Sequence, residues 1–467
     1  MVIIKEDAPK PSKISLKFRH FFTHIKPESV FLLLAILVII PIFIIPIAQP
    51  SNGALFASFK SMGMYATENP LKYGWLGRAA VLPIPYTVLG YITFFIHKVI
   101  PAGSVLDSRV LGAIYCILLL ICVFNTCKGF NTIKHRWTNY LFALLCVLIL
   151  CDYSNLAFFN TLFSLPILFV SLMAIIAIFI SVIKGGSIRY WQMALLLIIG
   201  VSLAFLGDKL SAWLAVVIGV LAYAFLARHT RTPDKSFILG FFIILIIASG
   251  GYNAFFVQGA SYKQDLYNSV FFGITDVTSV ESIALPDSFN GYAEHFYSSD
   301  NPIDNGFYKV ANYKSIITYY LRNPSDLFSE IKYSVQNAFG MRGLDISGEA
   351  PGNFRLYALL KSIFAPATRS MMVLFLLIYF GVSIYVSSDR TRKDSTRQFA
   401  GLLACLSVIE FLALVAPIVL TGRFLVNYNT SLAGIIFDIL VLFGIVGGIR
   451  ILLENNDRNK EKFGIEE

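Results

Sequence analysis

"LPIPYTVLGYITFFIHKVIP", Leu82 to Pro101, is the stretch on which the fold turns. It matches the roughly 20 residues that cross a bilayer, and counting it as a span would turn every later basic loop outward. It also carries Pro83 and Pro85 near its start and His97-Lys98 near its end. Such residues are better housed in an interfacial or re-entrant helix than against lipid tails, so the stretch is assigned to an outer loop.

With that assignment, apolar helices are expected at 28–48, 108–128, 138–152, 158–183, 190–206, 210–228, 236–256, 369–388, 397–420 and 427–451. This makes an all-α polytopic membrane protein of about ten spans. Lys and Arg then segregate to one side. They lie in the N-terminal tail (Lys5 to Lys26), in loops holding Lys128, Lys134, Arg136, Lys184 and Arg189, and in loops holding Arg228, Arg231, Lys235 and Arg390 to Arg397. That side is read as cytoplasmic. Composition agrees, since 56% of the 467 residues are hydrophobic and only 14% charged, a balance that excludes a soluble domain. The net charge of +10 is concentrated in short loops, which reflects membrane topology and not nucleic-acid binding.

The six cysteines, Cys116, Cys122, Cys127, Cys146, Cys151 and Cys405, lie in or beside apolar runs with no CxxC pair, so neither a metal cluster nor a disulfide framework is expected. The first apolar run is too long for a cleaved signal and reads as a retained anchor. The expected organisation is a basic tail (1–27), membrane helices (28–256) with a first outer loop (49–107), an outer domain (257–368), three more membrane helices (369–451) and a cytoplasmic tail (452–467). Residues 257–368 are too many for a connection and should fold on their own. Helix signals there are "YKSIITYYLR" and "PSDLFSEIKYSVQNAF", the second with Ser325, Phe328 and Ile331 on one face. "DISGEAPGNFRLYALLK" is rich in turns before a further helix. Interfacial helices are expected in the first outer loop, and a mainly helical fold in the second.

Ionisable residues at the outer helix ends are the site candidates, because charge at membrane depth is costly unless paired or facing water. They are Glu68 in the first outer loop, Asp152 in "CDYSN", Asp208 and Lys209 in "FLGDKLSAW", and Arg423 in "LTGRFLVNYN", near Asn427. Each has a plain structural alternative. Asp152 would cap a helix, Asp208 and Lys209 would form a turn pair, Lys209 would snorkel, Arg423 would anchor at the interface, and Glu68 would be a solvated loop acid.

"PSNGALFASFKSMGMY" (50–65), "CDYSNLAFFNTLFSLP" (151–166), "FLGDKLSAW" (205–213) and "YNSVFFGITD" (267–276) resemble the GT-C superfamily of integral-membrane glycosyltransferases, above all its WsfD-like hexose transferases. "YYLRNPSDLFSEIKYSVQNAF" and "PGNFRLY" resemble the later part of that group. The likeness runs over most of the chain, although each motif is loose. It implies transfer of a hexose from a polyprenyl-phosphate donor to a cell-surface glycan or wall polymer, at the outer leaflet of a bacterial plasma membrane. Such transfer needs a carboxylate base for the acceptor hydroxyl and cations or a metal for the leaving phosphate. As cations at the outer ends of spans, Lys209 and Arg423 are expected to hold the donor phosphate, with Arg355 of "PGNFRLY" as a lesser third; Asn52, Asn160, Asp208 and Asn427 are expected in the pocket, and the metal requirement is left open.

The resemblance also implies acids that this chain lacks. Ala54 follows Asn52-Gly53 where an acid is expected, and Leu165 stands before Pro166 where another is expected. Asp152 and Glu68 are the carboxylates left to substitute, with catalysis impaired if they do not. The alternatives are a non-catalytic lipid- or glycan-binding protein of the same fold, and a polymerase or transporter. A transporter would show paired helix breaks or internal repeats, which the sequence does not. The partners implied are a polyprenyl-phosphate-linked sugar, a surface glycan acceptor and membrane lipid, with no nucleic acid.

Overall fold

The computed structural model describes residues 26–44, 64–67, 72–75, 105–131, 136–206, 209–256, 262–274, 305–338, 372–423 and 429–462, with a few single positions between them. Six helices are long and apolar enough to span a bilayer: α2 (Ser108–Phe130), α5 (Leu165–Gly185), α7 (Lys209–Leu226, extended to His229), α8 (Pro233–Phe255), α14 (Asp394–Thr421) and α15 (Ser431–Lys462). A seventh span results if α3 (Arg136–Leu150) and the short helices after it, bent by 55°, are counted as one. Three further apolar helices are shorter, in α1 (Pro27–Ile44), α6 (Tyr190–Ala204) and α13 (Met372–Ser388). The expected count of about ten is therefore not established.

The bundle faces outward with apolar side chains. Leu33, Leu37, Ile198 and Ile244 are each at least 60% exposed, which water would penalise and lipid tails do not. Enclosed at the centre is α5, packed against α2, α6, α14 and α15. In lipid no hydrophobic force drives such helices together, so close packing must. Gly250 on α8 shows this, since a Cβ there would come within 2.9 Å of the Ala212 carbonyl on α7.

The basic loops meet at one end. Lys184 Nζ donates to Lys128 O (2.8 Å), Lys235 Nζ to Ile188 O (3.1 Å), Arg397 Nε to Ser387 O (3.2 Å) and Arg450 Nη2 to Phe130 O (2.6 Å). The opposite end joins the start of α7 to the end of α8, and the end of α14 to the helices that follow α8.

Several expectations change. The first outer loop is not purely helical. Its described residues include a three-stranded antiparallel sheet, β1 (Met64–Ala66), β2 (Lys72–Trp75) and β3 (Val105–Asp107), in the order β1-β2-β3. Strands of three or four residues are too short to show an alternating pattern, which is why the sequence hid them. Tyr65 pairs with Gly74 and its ring occupies the space that a side chain at 74 would need. Within Leu82 to Pro101 only Ile92, Thr93, Phe95 and Ile96 are described. They are helical, and Thr93 is buried. The fourth span starts at Leu165 and not 158, because Pro166 falls in the first turn and sets the helix start. At the C-terminal side α15 continues past 451 to Lys462, with no Gly or Pro between Gly448 and Lys462 to stop it.

After α8 come α9 (Tyr262–Ser269), which runs into a π turn (Val270–Ile274), then α10 (Asn305–Val310), α11 (Tyr313–Arg322) and α12 (Pro324–Ala338). They bury a second core of Leu266, Tyr267, Phe271, Phe307, Ile316 and Tyr320. Helix α11 starts at a capping box, in which Asn312 Oδ1 accepts from Ser315 N–H (3.0 Å) and Ser315 Oγ accepts from Asn312 N–H (3.1 Å). On α12 the buried stripe is Glu330, Ser334, Val335 and Ala338; of the face expected from the sequence, Ser325 and Phe328 (72% exposed) are turned away, while Ile331 is half-buried against the main core.

Candidate functional site

The end of α14 is locked onto the π turn. Gly422 has φ +59° and ψ −146°, a region essentially reserved for glycine. A Cβ there would lie 2.7 Å from Asn268 O, Gly273 N and Phe272 C. Arg423 N–H donates to Phe272 O (2.7 Å), Ser269 Oγ donates to Val419 O (2.6 Å), and Tyr313 OH donates to Leu420 O (3.2 Å). The last two satisfy carbonyls that a helix C-terminus leaves without intrahelical partners.

This seat fixes where the Arg423 side chain begins. Its Nε and Nη2 donate to the two carboxylate oxygens of Glu330 on α12, at 3.1 and 2.7 Å. Its guanidinium carbon lies 4.5 Å from the centroid of the Tyr333 ring. The Glu330 side chain is fully buried, whereas that of Arg423 stays 26% exposed. The fork geometry suits a carboxylate or a phosphate equally, and Glu330 accepts from two of the five N–H donors that a guanidinium has.

Lys209 is the first residue of α7 and only 8% exposed. Its Nζ donates to Asn253 O (2.8 Å) and Ala254 O (2.9 Å), closing the C-terminal end of α8. The same ammonium lies 5.5 Å from the Tyr262 ring centroid. Tyr262 packs edge-on against Tyr313, which reaches Leu420, so a continuous seam connects Lys209 to the segment that carries Arg423. Asp265, one turn along α9 and half-buried, is close enough for its charge to act on both Lys209 and Tyr313. Burial, followed by the charges of Asp265 and Tyr262, pushes the Tyr313 phenol above its ordinary range and keeps it a proton donor.

Asp152 and Asn160 lie elsewhere at this end. Asp152 is fully buried, and its Oδ1 accepts from Ser154 N–H (2.9 Å) and Ser154 Oγ (2.8 Å). It therefore caps α4 (Tyr153–Leu156), the structural alternative weighed from the sequence. Asn160 ends the 3-10 turn that follows, pressed onto Gly112 of α2, where a Cβ would collide with it. Leu165 is 4% exposed in the core. Asn52, Ala54, Glu68, Asp208, Arg355 and Asn427 lie outside the described residues.

A family model described as the YfdI N-terminal transmembrane domain matches residues 13–465. The chain belongs to this family. No curated protein and no solved structure matches it significantly. Membership of the YfdI N-terminal transmembrane domain family makes the chain a multi-pass membrane protein, as its apolar helix surfaces require.

Sequence reasoning missed Glu330, Asp265, Tyr262 and Tyr313 in this YfdI-family chain. Glu330 was detectable in principle, because it interrupts the buried stripe of α12 at helical spacing from Ser334, and an acid on a buried stripe needs a partner. The others become neighbours only through contacts between helices. Among the described residues no group of three or more His, Cys, Asp or Glu is placed to hold a metal ion.

Proposed function

We propose that this chain is a membrane glycosyltransferase of the GT-C type, close to the WsfD-like hexose transferases. It would move a hexose from a polyprenyl-phosphate donor to a cell-surface glycan or wall polymer. On this reading the basic end faces the cytoplasm of a bacterial plasma membrane, the shorter apolar helices also span, and the seam of Lys209 and Arg423 opens at the outer leaflet. The acceptor hydroxyl attacks the anomeric carbon as the bond from that carbon to the phosphate oxygen breaks. Polyprenyl phosphate leaves with the electron pair, and a carboxylate takes the hydroxyl proton.

The observation that carries the reading is the seam itself. It holds two cations at helix ends away from the basic loops, with a half-buried carboxylate, Asp265, within electrostatic reach of Lys209. Lys209 and Arg423 would hold the leaving phosphate, with Arg355 as a third cation. Asp265 joins Asp152 and Glu68 as a base, and unlike the fully buried Asp152 it is partly exposed, with a cation within electrostatic reach.

A second reading, a non-catalytic lipid- or glycan-binding protein, is favoured by Leu165, which packs in the core at a position where the resemblance expects an acid. Labelled sugar on a polyprenyl phosphate, incubated with the purified chain and an envelope fraction, separates the two. Transfer that drops about 10²–10⁴-fold in Asp265→Asn supports the reading. Transfer seen only in Ala54→Asp means that catalysis has been lost at that position. Absence of transfer and of donor binding in both chains refutes it.

A further inference from the structure

At the basic end lies a cavity of about 330 Å³ that the seam does not touch. It opens between the C-terminal ends of α2 and α5, the start of α14 and the last third of the α15 span. The two regions sit at opposite ends of α14, whose 28 residues separate Lys393 from Arg423 by about 40 Å.

The lining is of two kinds. Phe130, Ile180, Ile183, Phe399 and Ile451 form an apolar wall, and Lys184, Lys393 and Arg450 supply cations. Among the described residues Glu454 is the lone carboxylate in the lining, and Thr396 Oγ donates to one of its oxygens (2.9 Å). Arg450 is anchored on one edge, where Nη2 donates to Phe130 O (2.6 Å) and Asn139 Oδ1 (2.8 Å) and the guanidinium lies 3.7 Å from the Phe130 ring centroid. Its Nε is buried with no hydrogen-bond partner among the described residues. Lys184 is held over the end of α2 by the Lys128 carbonyl, and the start of α14 adds the positive end of a long helix dipole.

We infer that this cavity is a binding site for the phosphate headgroup of an anionic lipid in the leaflet at the basic end. Three cations against one engaged carboxylate select a negative charge. The apolar wall selects an amphiphile over a free ion, because inorganic phosphate would leave Phe130, Ile183 and Phe399 against water. The volume lies in the range of small-molecule sites and takes a phosphodiester head with the first methylenes of its chains. The lipid would bridge four helices far apart in sequence and steady the bundle from the end opposite the seam. This inference is independent of the proposed transfer reaction.

The test uses the full chain in nanodiscs of phosphatidylcholine, with and without phosphatidylglycerol, read by native mass spectrometry for retained lipid and by thermal unfolding. Phosphatidylglycerol should be retained selectively and should raise the unfolding temperature. The double variant Lys184→Gln/Lys393→Gln should bind it about 30-fold more weakly, on the scale of two interfacial charges. Ser395→Trp, which fills the mouth from an exposed position, should abolish retention while leaving unfolding in pure phosphatidylcholine unchanged. The pair Arg228→Gln/Arg231→Gln, basic and at the same end but not in the lining, should behave as wild type. Equal retention of both lipids, retention unaffected in the Lys184 and Lys393 variant, or the same stabilisation from inorganic phosphate alone would each overturn the inference.

Discussion

Replacing Glu330 with glutamine tests how Arg423 is held. The substitution keeps the shape and one acceptor oxygen but removes the charge facing a guanidinium that is only 26% exposed. Removing one member of a buried pair costs about 3–5 kcal/mol, and partial hydration of Arg423 brings the expected loss to about 2–3 kcal/mol. That corresponds to about a 10²-fold shift in the local opening equilibrium. The loss should appear where Arg423 seats α14 on the π turn. The Arg423 amide, bonded to Phe272 O at 2.7 Å, is thus the reporter. Hydrogen exchange followed by mass spectrometry in detergent should show this amide exchanging about 10²-fold faster in Glu330→Gln, with helices at the basic end unaffected. The double variant Glu330→Met/Arg423→Met should recover most of the protection, because no charge is left unpaired. If the double variant is as exposed as Glu330→Gln, or if neither changes the Arg423 amide, the pair does not hold this end of α14 and the reasoning fails.

Three further outcomes follow from the same geometry. Gly422→Ala combines a backbone region disfavoured for any side chain with a Cβ 2.7 Å from three backbone atoms, so a loss of about 3 kcal/mol or more and a fall in monodisperse yield are expected on size-exclusion chromatography. Burial pushes the Asp107 carboxyl up, but the hydrogen bonds and charge of Arg109 outweigh it and hold it below the usual carboxylate range. A depressed carboxyl stabilises above its unfolded pKa and loses that contribution as pH falls through the folded one, so β2–β3 amides should exchange faster below about pH 4 in wild type and show no such step in Asp107→Asn. Membrane-impermeant thiol labelling of intact cells should reach Ser299→Cys but not Ser395→Cys, and the reverse pattern would invert the orientation.

Much of the helical framework was legible from residue order. Apolar runs of span length bounded by Lys and Arg specify helices and the end each one shows, since a bilayer allows few other backbones and basic loops sort by charge. Gathering Lys128, Lys184, Lys235, Arg397 and Arg450 at one end is the geometric form of that rule. The capping role of Asp152 was also readable, because an Asx turn is made within three residues. Short-range patterns could not carry the rest. The sheet joins β2 to β3 across about thirty intervening residues, and no strand is long enough to display a period. The bond from Arg423 to Glu330 crosses 93 positions, and that from Arg450 to Phe130 crosses 320. Charge at such positions says in the sequence only that a partner is needed. The partner is chosen by which helices pack, and in a bilayer that choice rests on close contact of surfaces, which exists only in the assembled bundle.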